Sequence, residues 1–368
     1  MLRRPLPRLA ALSLPIALAL AASSKAPEPK IPFDPPTYVC YRASAPVQID
    51  GDLDEDVWIK APWSENFVDI EGGGRPKPRF RTMVKLLWDD DYLYIGAYLE
   101  EPNVWATLTK RDSIIFLDND FEVFIDPDAD THEYYEFEMN ALNTVWDLLL
   151  IKPYRDGGPA VNGWDIHGLR SAVRVDGTLN DARDRDRGWT VELAFPWDAL
   201  RECAHRDAPP RDGDQWRINF SRVEWRVNVN REAGGAGAYA KAGDPATGKP
   251  LPEDNWVWSP QGLINMHYPE MWGVMQFATE PAGGRSVEVR KDPADAARWA
   301  LRRVYYGERR FHEAHGRFAD RLLELGLHGL DGAGIRIETT AGGFEARIAA
   351  AALSIDQEGR LRRLEIRP

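Results

Sequence analysis

The chain has 368 residues, a formal net charge of -12 and two cysteines, Cys40 and Cys203. A hydrophobic content of 43% is ordinary for a globular protein, so the chain can bury a core in one large domain or in two domains. Nucleic acids and anionic membranes require a basic surface, so the acidic balance argues against both as partners. It is compatible with neutral ligands and divalent cations. Whether Cys40 and Cys203 pair depends on the compartment and stays open.

The N-terminus predicts export. Three arginines within the first eight residues precede an apolar run from Leu9 to Ala22, and residues 19–21 have the small-x-small form of a cleavage site. The run is short for a membrane span and contains Pro15. We predict a signal peptide over residues 1–21 and a Pro-rich linker over residues 22–37. The mature protein is therefore expected in the periplasm or outside the cell, with no later membrane span.

A period of two dominates the sequence from Tyr38 to about Thr279. FRTMVKLLWD and YLYIGAYLE flank three aspartates and predict a hairpin. Alternation in DFEVFID and HEYYEFEMNA places one apolar face of each strand toward the core, formed by Phe121, Val123, Ile125, Tyr135, Phe137 and Met139. Many short strands with polar turns predict an all-β antiparallel sandwich, of jelly-roll or immunoglobulin-like type, over residues 38–280.

The pattern changes after Pro281. Apolar residues recur every seven positions from Ala297 to Leu325, which predicts one long amphipathic helix that begins at Asp292-Pro293 and ends at Gly326. Three apolar segments behind it predict a β-meander. Residues 281–368 are therefore expected to form a small α+β domain.

Two acidic clusters are candidate cation sites. Hard cations such as calcium take six or more oxygen ligands, and carboxylates at alternate positions supply them. The first cluster comprises Asp50, Asp52 and Asp54. The second is denser, and we predict calcium there, with these ligands: Asp118, Asp120, Asp126, Asp128 and Asp130. The alternative is that these aspartates are ordinary turn residues with solvated side chains.

The aromatic residues point to a glycan ligand. Sugars offer apolar C–H faces ringed by hydroxyls, so their sites combine flat rings with planar hydrogen-bonding groups. Trp256 and Trp258 lie two residues apart in the Pro-bounded segment PEDNWVWSPQGLINMHYPEMWG and would project from one face of an extended chain. Trp258 is the predicted stacking platform. The predicted hydrogen-bonding partners on polar strand faces include Glu122, Glu138, Asn140 and Arg222.

Two other functions stay open at this point. A glycoside hydrolase would use a carboxylate pair, here Glu122 with Glu136 or Glu138, although the sequence shows no pair at a defined separation. A haem b-binding redox module would use a methionine or histidine, such as Met139 or His267.

Five ordered blocks of the sequence resemble the family 9 carbohydrate-binding modules, and more closely exported bacterial family 9-like proteins. The blocks are IDGDLDEDVWIKA, KLLWDDDYLYIGAYLEEP, DNDFEVFIDPD, GWTVELAFPWDAL and WSPQ with MWGVMQF. The resemblance covers roughly residues 38–278. It implies a β-sandwich, structural calcium and non-catalytic binding of plant or microbial polysaccharide or oligosaccharide ends, as part of polysaccharide catabolism.

The resemblance also implies roles for individual residues. Glu122 corresponds to a ligand-contacting glutamate, and Trp258 to the second of two stacking tryptophans. The first stacking position falls on Phe116, for which Trp105 is an alternative. The family's arginine falls on Glu138, while its asparagine is kept as Asn140. A carboxylate in place of a guanidinium changes which ligand groups can be bound.

Overall fold

The computed structural model describes residues 27–204 and 208–364. The predicted signal peptide and the first residues of the predicted linker lie outside the described residues. In the described chain the α-helices are α1 (Asp56–Lys60), α2 (Trp197–Leu200) and α3 (Asp295–His315). The strands are β1 (Thr37–Arg42), β2 (Val68–Asp69), β3 (Thr82–Trp88), β4 (Tyr92–Glu100), β5 (Asp120–Asp126), β6 (Tyr134–Asn140), β7 (Val145–Leu150), β8 (Ala160–Val161), β9 (Arg170–Asp176), β10 (Gly188–Pro196), β11 (Gln215–Glu224), β12 (Val227–Val229), β13 (Tyr239–Lys241), β14 (Asp254–Val257), β15 (Gly273–Pro281), β16 (Ile335–Thr339), β17 (Phe344–Ile348), β18 (Leu353–Asp356) and β19 (Leu361–Arg363).

Thirteen of the first fifteen strands form the predicted β-sandwich, while β12 and β13 form a separate two-stranded sheet. Hydrogen bonds connect most of them in the order β8-β7-β6-β5-β11-β15-β1-β3-β4-β10-β9. This path folds over on itself, so that apolar residues of β5, β6 and β11 share one core with those of β3, β4 and β10. Most neighbours are antiparallel, but β1 runs parallel to both β15 and β3, at the point where the path passes between the two layers.

The period-two alternation assigns the core residues correctly. Phe121, Val123 and Ile125 of β5 lie in this core beside Tyr135, Phe137 and Met139 of β6. The predicted hairpin forms between β3 and β4. At its turn, the Asp89 carboxylate accepts hydrogen bonds from the amides of Asp91 and Tyr92, at 2.8 and 2.9 Å. Asp89 therefore fixes the turn through its side chain, as aspartate commonly does.

The loop that carries the first acidic cluster has a structural role. The Glu192 carboxylate, which is buried, accepts hydrogen bonds from the amides of Asp50 and Gly51 and from the Trp58 indole, at 2.8–3.0 Å. Gly51 has a φ of +89°, and a Cβ there would lie 2.9 Å from the Arg174 backbone nitrogen, so a glycine is required. Cys40 and Cys203 are both buried free thiols.

The C-terminal segment differs from the prediction in two respects. Helix α3 ends at His315 because Gly316 takes the left-handed conformation, with a φ of 68°, rather than continuing to Gly326. Phe318, Leu322 and Leu325 lie beyond the helix but still pack on the same apolar cluster, which explains why the heptad spacing continues. The sheet that follows has four antiparallel strands, β16 to β19, rather than three.

Buried ion pairs hold α3 against the sandwich. The Arg155 guanidinium donates to the carboxylate of Glu270 at 2.9 Å, and the Tyr306 hydroxyl donates to the same carboxylate. Arg302, which is 1% exposed, donates to the Thr131 hydroxyl at 3.1 Å. Gly359 contacts the guanidinium of Arg302, since a Cβ at residue 359 would lie 2.8 Å from Arg302 Nη1. Across the described residues, we find no helix with the length and apolar character needed to cross a membrane.

Candidate functional site

The outer face of β5 and β6 carries a row of buried carboxylates. Because Phe121, Val123 and Ile125 face the core, the alternate residues of β5 face outward. Strand pairing sets Glu122 opposite Glu138, Asp120 opposite Asn140, and Phe124 opposite Glu136. Asp120, Glu122, Glu136 and Glu138 are 0%, 5%, 6% and 2% exposed. We call these four side chains the carboxylate face.

The carboxylates of this face lie close enough to repel one another. Oxygens of Asp120, Glu122 and Glu138 all lie within 4.8 Å of one another. Burial raises the pKa of Glu122 to about 7. Burial, followed by the charge of Glu122, raises the pKa values of Asp120, Glu136 and Glu138 well above their usual range. The ionised forms are therefore costly in this site without a positively polarised partner.

Few hydrogen-bond donors of the protein reach these carboxylates. Asp120 accepts one hydrogen bond from the Val223 amide at 2.9 Å, and Glu138 accepts one from the Phe116 amide at 3.2 Å. Asp120 Oδ2 and Glu136 Oε2 are buried without a hydrogen-bond partner. The Ser221 hydroxyl lies beside Glu122, near enough to lower its pKa, but makes no hydrogen bond of regular geometry. Buried oxygens without donors indicate a site that a ligand completes.

Three aromatic residues with exposed area lie near the carboxylate face. Phe116 is 38% exposed and donates its amide to Glu138. Trp146, on β7, lies directly opposite Glu138 in the sheet and is partly exposed. Tyr154 is 49% exposed. Its pKa is raised to about 12, first by burial and then by the charges of Glu136 and Glu138. We call Phe116, Trp146 and Tyr154 the aromatic rim.

A neutral histidine supports one side of the rim. The His267 ring contacts the Tyr154 ring edge-on, at 4.5 Å between centroids, and its Nδ1 is 2.8 Å from the Tyr134 hydroxyl oxygen. Burial and the nearby Arg155 lower the pKa of His267 to about 3. It is therefore uncharged at neutral pH and does not compensate the carboxylates. Met139, the other residue named for haem ligation, lies in the sandwich core, behind the sheet face that carries His267.

The structure corrects the prediction that Trp258 is a stacking platform. Trp258 is 5% exposed and lies in the main core, 6.0 Å from the Phe220 ring between centroids. A Cβ on Gly273 would lie 2.2 Å from Trp258 Cζ3, so the ring fills the space that this glycine leaves. Trp256 is 3% exposed in the same core, and Trp105 is 5% exposed in a neighbouring cluster. None of these three rings offers a face to a ligand.

Two predicted hydrogen-bonding partners are also committed to the fold. Arg222 is fully buried and donates to Glu101 and Glu224, at 2.6 and 2.8 Å. Asn140 is fully buried, and its amide group bonds to Leu108, Asp118, Leu142 and Thr144. Glu122, Glu138 and Phe116, by contrast, lie together at the carboxylate face. They remain predicted ligand contacts.

The predicted calcium ligands do not form one site. Asp118 accepts hydrogen bonds from the backbone and hydroxyl of Thr107, from the Leu108 amide and from Asn140. The six residue steps of β5 separate Asp120 from Asp126 by roughly 20 Å. Asp126, Asp128 and Asp130 do converge, with oxygens within 4.8 Å of one another. This second group lies beside a cleft of about 760 Å³ between the sandwich and the C-terminal segment.

Sequence reasoning missed Trp146 and Tyr154. Alternation in TVWDLLLIK assigns a face to Trp146 only once the register against β6 is known. Tyr154 lies in a short turn after β7, at Tyr154–Asp156, where no periodicity applies. The spatial relation of both residues to Glu138 depends on cross-strand pairing, which the sequence does not specify.

Comparison with known proteins finds a family match for part of the chain. The family described as "Carbohydrate family 9 binding domain-like" matches residues 49–213. The chain is 25% identical over 152 residues to exoglucanase XynX of Acetivibrio thermocellus, covering 41% of this chain and 12% of that protein. It is 26% identical over 153 residues to endo-1,4-beta-xylanase A of Thermoanaerobacterium saccharolyticum, covering 41% of this chain and 11% of that protein. The chain thus spans only a small part of these relatives.

Solved structures include more distant neighbours. A putative carbohydrate-binding protein from Bacteroides uniformis superposes with a TM-score of 0.47 and 15% identity, covering 66% of this chain and all of the other. A carbohydrate-binding module of family 9 from Caldicellulosiruptor kristjanssonii, in complex with cellotriose, superposes with a TM-score of 0.41 and 17% identity, covering 70% of this chain and all of the other. The sequence match to the carbohydrate family 9 binding domain-like family thus covers residues 49–213, a little under half of this chain.

Proposed function

We propose that the β-sandwich is a non-catalytic glycan-binding domain whose ligand lies on the carboxylate face. One observation carries the proposal. Phe116, Trp146 and Tyr154 come from three separate segments near the carboxylate face, and all three keep exposed area. The match of residues 49–213 to a carbohydrate-binding family supports a glycan as the ligand.

The aromatic rim and the carboxylate face suit the two kinds of surface that a sugar presents. The exposed rings can stack on apolar C–H faces, as aromatic side chains do in many binding sites. The carboxylates can accept hydrogen bonds from hydroxyl groups, and charge-assisted hydrogen bonds of this kind are stronger than neutral ones. A bound glycan would supply donors to Asp120 Oδ2 and Glu136 Oε2, which have none within the protein. Ligand binding thus recovers part of the cost of burying these groups.

The arrangement of the carboxylates favours binding over hydrolysis. Glycoside hydrolases place two carboxyl groups on opposite sides of the scissile bond. Glu122 and Glu138 instead project from the same face of adjacent strands, with oxygens within 4.8 Å. A sugar can lie over this pair but not between its members. The relatives carry the names exoglucanase and xylanase, so β-1,4-linked gluco- and xylo-oligosaccharides are the first ligands to test.

We also propose that the protein is exported and that its Asp126–Asp130 loop binds calcium. The first twenty-one residues have the composition of a signal peptide, and a glycan-binding domain meets polymeric glycans outside the cytoplasm. Asp126, Asp128 and Asp130 offer three oxygens within 4.8 Å, to which water and backbone carbonyls can be added. Calcium there would offset the repulsion that, together with burial, raises the pKa of Asp130 to about 6.

Binding measured on rim variants tests the proposal. Trp146→Ala and Tyr154→Ala should each weaken binding of the best oligosaccharide at least tenfold, because stacked rings supply much of the contact area. Trp63→Ala is the matched control, since Trp63 is 39% exposed and its ring lies against the Lys85 ammonium of β3, 4.5 Å from the ring centroid. It should bind like the wild type. Unchanged binding in both rim variants, or equal loss in the control, would show that the ligand lies elsewhere.

A further inference from the structure

The carboxylate face lacks a compensating positive charge. In the described part of the chain, the only basic nitrogen within 4.0 Å of its four carboxylates is His267 Nε2, at 4.0 Å from Glu136. That ring is neutral at physiological pH because its pKa is lowered to about 3. Arg222 attracts Asp120 from a distance, but its guanidinium is paired with Glu101 and Glu224. A positive ligand would therefore bind here more favourably than a neutral ligand of the same shape.

The number and closeness of the acceptors suit one kind of cation. An ammonium group has three N–H donors, and tetrahedral geometry with N···O distances of about 2.8 Å places the three acceptor oxygens roughly 4.6 Å apart. Oxygens of Asp120, Glu122 and Glu138 lie within 4.8 Å of one another. Asp120 Oδ2 has no partner, although Asp120 is fully buried. These three carboxylates therefore lie close enough together for one ammonium group to bond to all three.

The aromatic rim distinguishes an organic ammonium from a metal ion. A bare divalent cation would need the three carboxylates but would leave the exposed rings of Phe116 and Tyr154 without a role. A sugar ring that carries an amine uses both components, with the ring against the rim and the ammonium against the carboxylates.

We propose that the carboxylate face selects glycans that carry unsubstituted amino groups, such as glucosamine units, over neutral and N-acetylated ones. This inference rests on the proposed function, because it names the ligand class of the same site. The ammonium pairs with Glu122, Glu138 and Asp120, and the sugar ring packs on the aromatic rim. The pairing keeps the carboxylates ionised in a site where they are otherwise driven toward protonation.

Three matched oligosaccharides test the proposal by calorimetry on the full chain near pH 6.5. Oligomers of β-1,4-linked glucosamine, N-acetylglucosamine and glucose share a backbone and differ only at the C2 substituent. The glucosamine oligomer should bind at least tenfold more tightly than the other two. Glu138→Gln keeps the shape of the protonated acid, so it should fold. It should remove that preference, so that the glucosamine and glucose oligomers bind the variant with equal affinity. Glu65→Gln, at an exposed carboxylate outside the site, should change neither.

Each alternative outcome has a distinct meaning. Equal or tighter binding of the glucose or N-acetylglucosamine oligomer would overturn the amine preference while leaving a glycan-binding function intact. Loss of all three affinities in Glu138→Gln, with an unchanged melting temperature, would show that Glu138 does not discriminate the amine. Binding of calcium alone that Glu138→Gln abolishes would reassign the three carboxylates to a metal ion. Absence of binding to any glycan would refute the proposed function itself, and the inference with it.

Discussion

Trp258 offers the sharpest test of how the sandwich is built, because the sequence predicts a surface ring and the structure places it in the core. Replacing Trp258 with alanine would remove a ring that is 5% exposed and packs on Phe220. Truncation of a buried tryptophan to alanine costs about 3–5 kcal/mol of unfolding free energy. At roughly 2–4 °C per kcal/mol for a domain of this size, the melting temperature should fall by about 10 °C.

A second substitution, at Gly273, measures the contact between this glycine and the Trp258 ring. A Cβ at residue 273 would lie 2.2, 2.5 and 2.9 Å from three atoms of the Trp258 ring, so Gly273→Ala alone should also be destabilising. Once the ring is absent, the same methyl group has space and fills part of the cavity. The double variant should therefore be more stable than the sum of the single effects predicts, by about 1–3 kcal/mol.

Chemical denaturation of the wild type, both single variants and the double variant gives all four free energies of unfolding. Additive effects within about 0.5 kcal/mol would show that the ring does not occupy the space beside Gly273. A Trp258→Ala variant of wild-type stability that no longer bound glycan would restore Trp258 as the stacking platform. Trp146→Ala is the matched comparison, since it should reduce binding with a smaller loss of stability.

Three further predictions follow from buried charge and backbone geometry. Glu122 has a pKa near 7 in the folded state against 4.5 unfolded, so the folded state binds more protons between these values. The free energy of unfolding should therefore fall as pH rises from about 4.5 to 7, and a Glu122→Gln variant that kept the same slope would contradict this assignment. If the Asp126–Asp130 loop binds calcium, saturation at a hundredfold excess over Kd should add about 2.7 kcal/mol, and excess chelator should lower the melting temperature of the wild type but not of Asp128→Asn. Gly359→Ala should lower the free energy of unfolding by about 1–3 kcal/mol, because φ is +79° and the new methyl group would lie 2.8 Å from Arg302 Nη1. An unchanged melting temperature would show that α3 tolerates displacement there.

The sequence predicts the sandwich because its strands alternate in polarity. In β5 and β6, the apolar residues at every second position are the core residues of the structure. The same alternation is ambiguous where both faces of a strand are buried. Trp256 and Trp258 do share one face, as expected, but the Trp258 amide bonds to the Phe220 carbonyl at 3.1 Å and continues the pairing of β14 with β11. The face that Trp256 and Trp258 share therefore points into the core.

The candidate site could not be predicted from the sequence, because its residues come together only through strand pairing. Asp118 and Asp120 lie near Asp126 in the sequence, but an extended strand separates the last of these from the other two. Glu138 and Trp146 are separated by a turn in the sequence and become direct neighbours through antiparallel pairing. Glu122 could be predicted from its motif. Trp146, which lies opposite Glu138, the strand partner of Glu122, could not.

Fluorine NMR of the protein labelled with 5-fluorotryptophan can locate the bound glycan, because the chain has 14 tryptophans and single Trp→Phe variants assign their signals. If the ligand lies on the carboxylate face, titration with the best-binding oligosaccharide should shift the Trp146 signal most strongly, in a saturable manner with the Kd found by calorimetry. The buried Trp256 and Trp258 signals should move little. A dominant shift at Trp258 with an unperturbed Trp146 would contradict the placement of the ligand on the carboxylate face.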